Sequence, residues 1–265
     1  MIQPLPRLPS AVPGVLGAVL PPVLLIAGLV ALWSAGAAQG WIPSFILPAP
    51  GLVAAQFTGN SEVLLRHAGA TTLEALSGFA IGNIVAVAMA MLLSSVTVLR
   101  EALYPYALVS RAIPIVVFTP LVVVMLGRGL PPIIAIVSFS VYFPTFLNMM
   151  RGLASPSDDH LELMHSLHAS RWQRLCMVEF PAAMPYLFAA LKVSASSAFI
   201  AALVTEWIGA NTGLGYLVVV SGQYFQLPQL WAAIFTSAGL TLSLLGLVHL
   251  AEHLLHRYTA AAPDL

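Results

Sequence analysis

What this sequence is short of is charge. Of its 265 residues only ten are Lys or Arg and ten are Asp or Glu, 8% together, against about 25% in a soluble domain. With so few charged groups, 59% hydrophobic residues and a mean hydropathy of +0.93, the chain has too little polar surface to cover a water-soluble globule. It has the composition of a membrane protein. The opposite charges cancel to a formal +0, so the basic stripe that nucleic-acid binding requires is missing. A single cysteine, Cys176, excludes an internal disulfide framework. Its lone lysine, Lys192, follows Ala189-Ala190-Leu191, and no G-x-x-x-x-G-K-[ST] phosphate loop occurs, so the chain cannot hydrolyse ATP by that chemistry.

What is there is long apolar sequence. Residues 8–61, 75–99, 129–150 and 207–251 contain no Asp, Glu, Lys or Arg, and each interval holds the roughly 20 residues that span a bilayer. Two further spans are interrupted by one basic group each. The expectation is an all-α integral membrane protein with six transmembrane helices near 14–36, 72–95, 102–126, 131–150, 182–205 and 229–251. Tails at 1–13 and 258–265 flank a single domain over 14–257. The apolar run from Val12 to Trp33 ends in small residues, as a secretory signal does, but exceeds the usual length of a signal core and is expected to be a retained helix. Lys and Arg concentrate on the cytoplasmic side of a membrane. With the N-terminus inside, Arg7, Arg100, Arg151, Arg171, Arg174 and Arg257 fall there, leaving Arg66 and Arg128 outside. Both termini are therefore expected in the cytoplasm.

Packing is legible too. Gly78, Gly82, Ala86 and Ala90 recur every four residues, as do Ala190, Ser194, Ala198 and Ala202. Such stripes let helix backbones approach closely where lipid gives no hydrophobic drive for association. Pro114 and Pro120 interrupt the third span and Pro144 the fourth, while Pro131-Pro132 opens the fourth, where a missing amide costs little.

The longest charged stretch, 151–181, carries two helix starts. Ser155-Pro156-Ser157-Asp158 offers an N-cap serine, a proline at the first helical position and an acid three residues after the cap; Ser170-Arg171-Trp172-Gln173 repeats the logic with Gln at the reciprocal position. Two helices meeting near His168-Ala169, with Leu161, Met164, Leu167, Trp172 and Leu175, make either a docking element for a partner's groove or a loop lying on the membrane.

Here a family resemblance becomes specific. Glu162, His168 six residues on, Val178 sixteen on, and the closing Phe180-Pro181 resemble the "EAA" loop of ATP-binding-cassette (ABC) importer permeases, whose pattern is E-A-A, three residues, G, nine residues, I, one residue, L-P. The surrounding sequence resembles the nitrate, sulfonate and taurine type, with support from Leu47-Pro48-Ala49-Pro50, Arg111-Ala112-Ile113-Pro114, Phe143-Pro144 with Asn148, and Gly213-Leu214-Gly215-Tyr216. Leu163 and Met164 replace the two alanines, and His168 the glycine. That glycine serves a turn by accepting positive φ, which His visits more readily than most residues, though with strain. The resemblance implies a type I importer fold and a coupling loop over 155–181. It also implies an ATPase-coupling role for Glu162, Leu167, His168, Ala169, Ser170, Arg171 and Trp172. Further implied are two copies of a cytoplasmic ATPase using ATP and Mg, an extracytoplasmic solute-binding protein, a location in a bacterial inner membrane, and no cofactor on this chain. One permease domain per chain makes a two-fold homodimer the simplest closed assembly.

Intramembrane polar groups are default functional candidates. Arg111, ten residues or about 15 Å of helix beyond Glu101, is a pathway candidate together with Tyr142, Asn148, Glu206, Trp207 and Tyr224. Glu74 and Glu206 sit near the outer ends of their helices, where a solvated cap is the plainer expectation, and Lys192 is expected to snorkel to the interface. The Glu206–Gly215 segment, with Trp207, resembles the variant in permeases for pyrimidine thiamine precursors or riboflavin. Trp207, Tyr142 and Tyr224 then offer stacking faces for a heterocycle, while anchoring at the membrane interface also accounts for Trp207. Two other functional classes are open. His249-Leu250-Ala251-Glu252-His253 matches the H-x-x-E-H spacing of some zinc peptidases, and an ion-driven transporter would need no ATPase. His160, His165 and His168 form a weaker metal candidate.

Overall fold

Backbones that meet across small side chains determine this architecture, described here from a computed structural model over residues 15–41, 43–94 and 115–259. Every regular element among the described residues is helical: α1 (Val15–Ala38), α2 (Pro50–Gly59), α3 (Ser61–Ser94), a 3₁₀ turn (Ile115–Phe118), α4 (Thr119–Leu126), α5 (Leu130–Leu153), α6 (Asp158–Ser166), α7 (Arg171–Arg174), a π-helical turn (Leu175–Glu179), α8 (Phe180–Gly209), α9 (Leu214–Gln223) and α10 (Leu227–Thr259). Among the described residues, five spans are long and apolar enough to cross a membrane: Leu20–Ala38, Ser61–Ser94, Leu130–Leu153, Arg171–Gly209 and Leu227–Leu255.

The centre is a slab in which α5 packs against α3 on one side and α8 on the other. The four-residue stripes form its seams. A Cβ on Gly78 would lie 2.5 Å from the Val137 Cβ, and one on Gly82 would collide with the Ser138 carbonyl and the Val141 side chain. Ala86, Ala90, Ala190, Ser194, Ala198 and Ala202 are all fully buried. Within the slab Thr145 Oγ1 donates to Asn83 Oδ1 at 2.5 Å and lies 3.0 Å from Ser194 Oγ, tying three helices through side chains that have no water to turn to. A second apolar cluster at the α6–α7 end joins Leu93, Phe146, Met150 and Leu175; a third at the opposite end joins Val53, Leu64, Leu214 and Ala232. Trp33 fastens α1 there, its ring tilted against Trp231 at 6.2 Å and its Nε1 donating to the Pro48 carbonyl at 3.0 Å.

Helix positions follow the expectation, with informative differences. The second span begins at Ser61 rather than near residue 72, because Arg66 and Glu74 do not end it. The last helix likewise runs on to Thr259. The third expected span, 102–126, lies outside the described residues up to 114, and from there it is a 3₁₀ turn followed by α4 with Pro120 in its first turn. Pro131-Pro132 opens α5, as a helix start allows, whereas Pro144 sits inside a helix that continues to Leu153.

Candidate functional site

The 151–181 loop is built from local chemistry. Ser170 Oγ accepts from the Gln173 amide at 3.3 Å and Gln173 Oε1 from the Ser170 amide at 2.8 Å, the reciprocal capping box that the spacing predicts. The first helix starts two residues later than expected. Its N-cap is Ser157, whose Oγ lies 2.7 Å from His160 Nδ1, while Ser155 donates back to the Gly152 carbonyl at 2.7 Å and so closes α5 instead. His168 takes φ 51°, the left-handed conformation that glycine supplies most easily. Around it the Ala169 amide bonds the Met164 carbonyl and the His168 amide the His165 carbonyl, both at 3.0 Å. These two bonds are the pair that terminates a helix at a left-handed residue, so the turn closes with histidine in the glycine position.

Of the loop's apolar side chains Met164 and Leu175 turn inward, while Leu167 and Trp172 are 67% and 66% exposed and Leu163 joins them outside. Arg174 Nε holds Glu179 Oε1 at 2.7 Å across the π-helical turn. That widened turn precedes Pro181, whose ring would otherwise meet the carbonyl four residues back.

At the opposite end of the slab lies a polar node that sequence reading did not assemble. Glu206 is 0% exposed, and its Oε1 accepts from Thr71 Oγ1 at 2.6 Å and its Oε2 from the Gly215 amide at 2.5 Å. Thr71 Oγ1 in turn accepts from the Leu214 amide at 2.7 Å, and the Gly213 amide donates to His67 Nδ1 at 3.0 Å. The free amides at the start of α9 are thus satisfied by side chains of α3 and α8, with the carboxylate placed where the helix dipole favours a negative charge. Gly213 and Gly215 are required at this point. Cβ atoms there would strike the Glu206 carboxylate and the Leu203 carbonyl, and Gly213 has φ +112°. Glu74, 4% exposed, sets its carboxyl beside that of Glu206. The solvated caps expected at both acids are therefore corrected: these groups are inside the bundle.

Near the loop end Lys192 Nζ lies 2.5 Å from Glu252 Oε2, with His249 Nδ1 3.5 Å from the same oxygen. Lys192 does not simply snorkel; it ties α8 to α10.

Comparison with known proteins places this architecture. A family model described as "binding-protein-dependent transport system inner membrane component" matches residues 78–257. The chain belongs to this family. It is 34% identical over 244 residues to the riboflavin transport system permease protein RibX of Chloroflexus aurantiacus, covering 91% of this chain and 90% of that one. To the formylaminopyrimidine transport permease protein ThiX of Halalkalibacterium halodurans it is 28% identical over 233 residues, 88% and 91% of the two chains. Against a putative aliphatic sulfonates transport permease protein, SsuC of Escherichia coli, identity is 28% over 219 residues, 82% and 83% of the chains. A chain of the MetNI methionine ABC transporter, in an inward-facing conformation, matches the fold at a TM-score of 0.61 and 17% identity, covering 76% of this chain and 98% of that one.

The protein is thus a membrane-embedded permease subunit of an ABC importer, and it is not itself an enzyme. Membership implies a separate ATPase and a solute-binding protein as partners and a multi-pass place in the inner membrane. The zinc-peptidase reading receives no support: Glu252 is engaged by Lys192, and among the described residues no three His, Cys, Asp or Glu side chains converge.

The permease's remaining candidates are scattered. Tyr142 stacks on Phe146 with centroids 5.5 Å apart and borders a shallow apolar groove with Ile81, Val85, Ser138 and Phe139. Asn148 Nδ2 donates to the Pro144 carbonyl at 2.7 Å. Trp207, next to Glu206 in the chain, is exposed, as is Tyr224 at the far end of α9 from the node, and Arg111 lies outside the described residues.

Proposed function

We propose that this permease imports a small aromatic heterocycle of the pyrimidine or flavin kind. The observation that carries this reading is the identity of 34% to a riboflavin permease, with a formylaminopyrimidine permease also matched over 88% of the chain. Exposed aromatic faces support it. Trp207 follows Glu206 at the node, Tyr224 closes the other end of α9, and Tyr142 borders a groove between α3 and α5; they, Asn148, Glu206 and Arg111 are the proposed pathway positions, with Glu206 acting from within the bundle. The similarity to SsuC at 28% favours a second reading, a sulfonate-like anion. Uptake of labelled riboflavin, formylaminopyrimidine and taurine into vesicles containing the complete transporter decides between them. Taurine uptake without either heterocycle would overturn the first reading.

In this reading residues 14–257 form one permease unit, two copies of which pair around the pathway. Each docks one ATPase on the 155–181 loop through Glu162, Leu167, His168, Ala169, Ser170, Arg171 and Trp172. ATP and Mg act on those two ATPases, an extracytoplasmic binding protein delivers the solute, and both termini face the cytoplasm. Support for the docking role comes from the exposed Leu167 and Trp172 on a loop whose turn closes despite the missing glycine. Deleting residues 158–174 is expected to abolish ATP-dependent uptake while leaving the chain in the membrane. Intact uptake in that deletion rules out the docking role.

A further inference from the structure

The α9 node contains one more carboxyl group than its visible partners account for. Glu206 accepts from three donors, the Thr71 hydroxyl at 2.6 Å, the Gly215 amide at 2.5 Å and the Tyr216 amide, which leaves its carboxylate room for one more. All of them favour a negative charge on that side chain. Glu74 projects from α3 to the same place, 4% exposed, and its Oε2 meets no hydrogen-bond donor among the described residues. Among the described residues, the groups around it offer no compensating cation. From α3 comes His67, whose Nδ1 is already held by the Gly213 amide, and Arg66, whose side chain is exposed; from α9 comes Tyr216, stacked on His67 at 5.9 Å. Arg128, ahead of α5, is exposed, and the ionisable groups described on α10 are His249, Glu252 and His253, near the other end of the bundle. Two adjacent carboxylates in a medium of low dielectric repel strongly, and an unpaired buried charge neutralises rather than persists.

We infer that Glu74 and Glu206 together form a binding site for one proton, carried on Glu74 and donated to the Glu206 carboxylate. The bound proton turns a repulsive contact into a charge-assisted hydrogen bond and joins α3 to α8 directly behind the start of α9. The site is independent of which solute the permease carries. Its occupant has one chemical alternative, a dehydrated sodium ion between the same oxygens.

Infrared spectroscopy of the full-length chain in lipid nanodiscs at neutral pH tests this. The expected spectrum contains a protonated-carboxyl C=O band that shifts down when glutamate is ¹³C-labelled, is the same in sodium-free buffer, disappears in Glu74→Gln and remains in Glu62→Gln at the exposed start of α3. Absence of a label-sensitive band overturns the assignment, as does a band that survives in Glu74→Gln or one that appears only when sodium is withdrawn, the signature of a metal ion in the site. The labelled wild-type chain gives its answer whether or not Glu74→Gln folds.

Discussion

His168 shows how one residue can depart from a family pattern and keep the conformation the pattern encodes. Its φ of 51° is the left-handed well, which costs a non-glycine residue roughly 1–2 kcal/mol. The two terminating hydrogen bonds around it show that the loop meets this cost. His168→Gly is therefore expected to leave ATPase affinity within about threefold of wild type. His168→Val, with a β-branched side chain least suited to positive φ, should weaken it by roughly tenfold, the equivalent of about 1.4 kcal/mol. Titrating purified ATPase against nanodisc-embedded permease measures both. Equal losses in the two variants would mean that the imidazole itself, and not the backbone, makes the contact.

At the scale of elements, the α3–α5 seam and the open face of the same helix give opposite expectations for one chemical change. Gly82→Ala places a methyl against the Ser138 carbonyl and Val141 and should cost about 1–3 kcal/mol, as overpacking does. Gly69→Ala, in the same helix with nothing near the new methyl, should gain up to about 1 kcal/mol from helix propensity. Detergent melting temperatures of the two variants are expected to move in opposite directions. Ser170→Ala removes one half of the capping box and should cost α7 about 1 kcal/mol, read as faster proteolysis within the 151–181 loop.

These elements also mark what could be read from the sequence. The Ser170 box was legible because both of its bonds lie within four residues, and the seams were legible because a four-residue period needs no knowledge of the partner helix. Ser155 misled because its hydroxyl serves the helix behind it, a choice that a cap motif alone does not reveal. The burial of Glu206 was hidden for a different reason. Its partner Thr71 is 135 positions away, and a carboxyl near a helix end looks the same in sequence whether water or a neighbouring helix receives it. The Lys192–Glu252 pair was hidden likewise, since each residue alone suits a polar rim.

For the whole molecule the single cysteine is a built-in probe. Cys176 is exposed, sits in the π-helical turn that follows α7 and has no competing thiol in the chain. A membrane-impermeant maleimide is expected to label it in inverted vesicles and not in right-side-out cells, as the distribution of arginines requires. Bound ATPase should slow that labelling several-fold if the loop is covered on docking. Labelling from outside intact cells would reverse the proposed orientation of every span.

One helix links the two ends of the protein. α8 runs without interruption from the π-helical turn behind the loop to Gly209, three residues past Glu206, a rise of about 45 Å for its 30 residues. Its stripe of small residues is buried in the slab, where the helix packs along α5. In the proposed coupling role, a displacement at the loop would travel along this helix to the first turn of α9, and Pro185, inside the helix, is the point on that route where bending costs least.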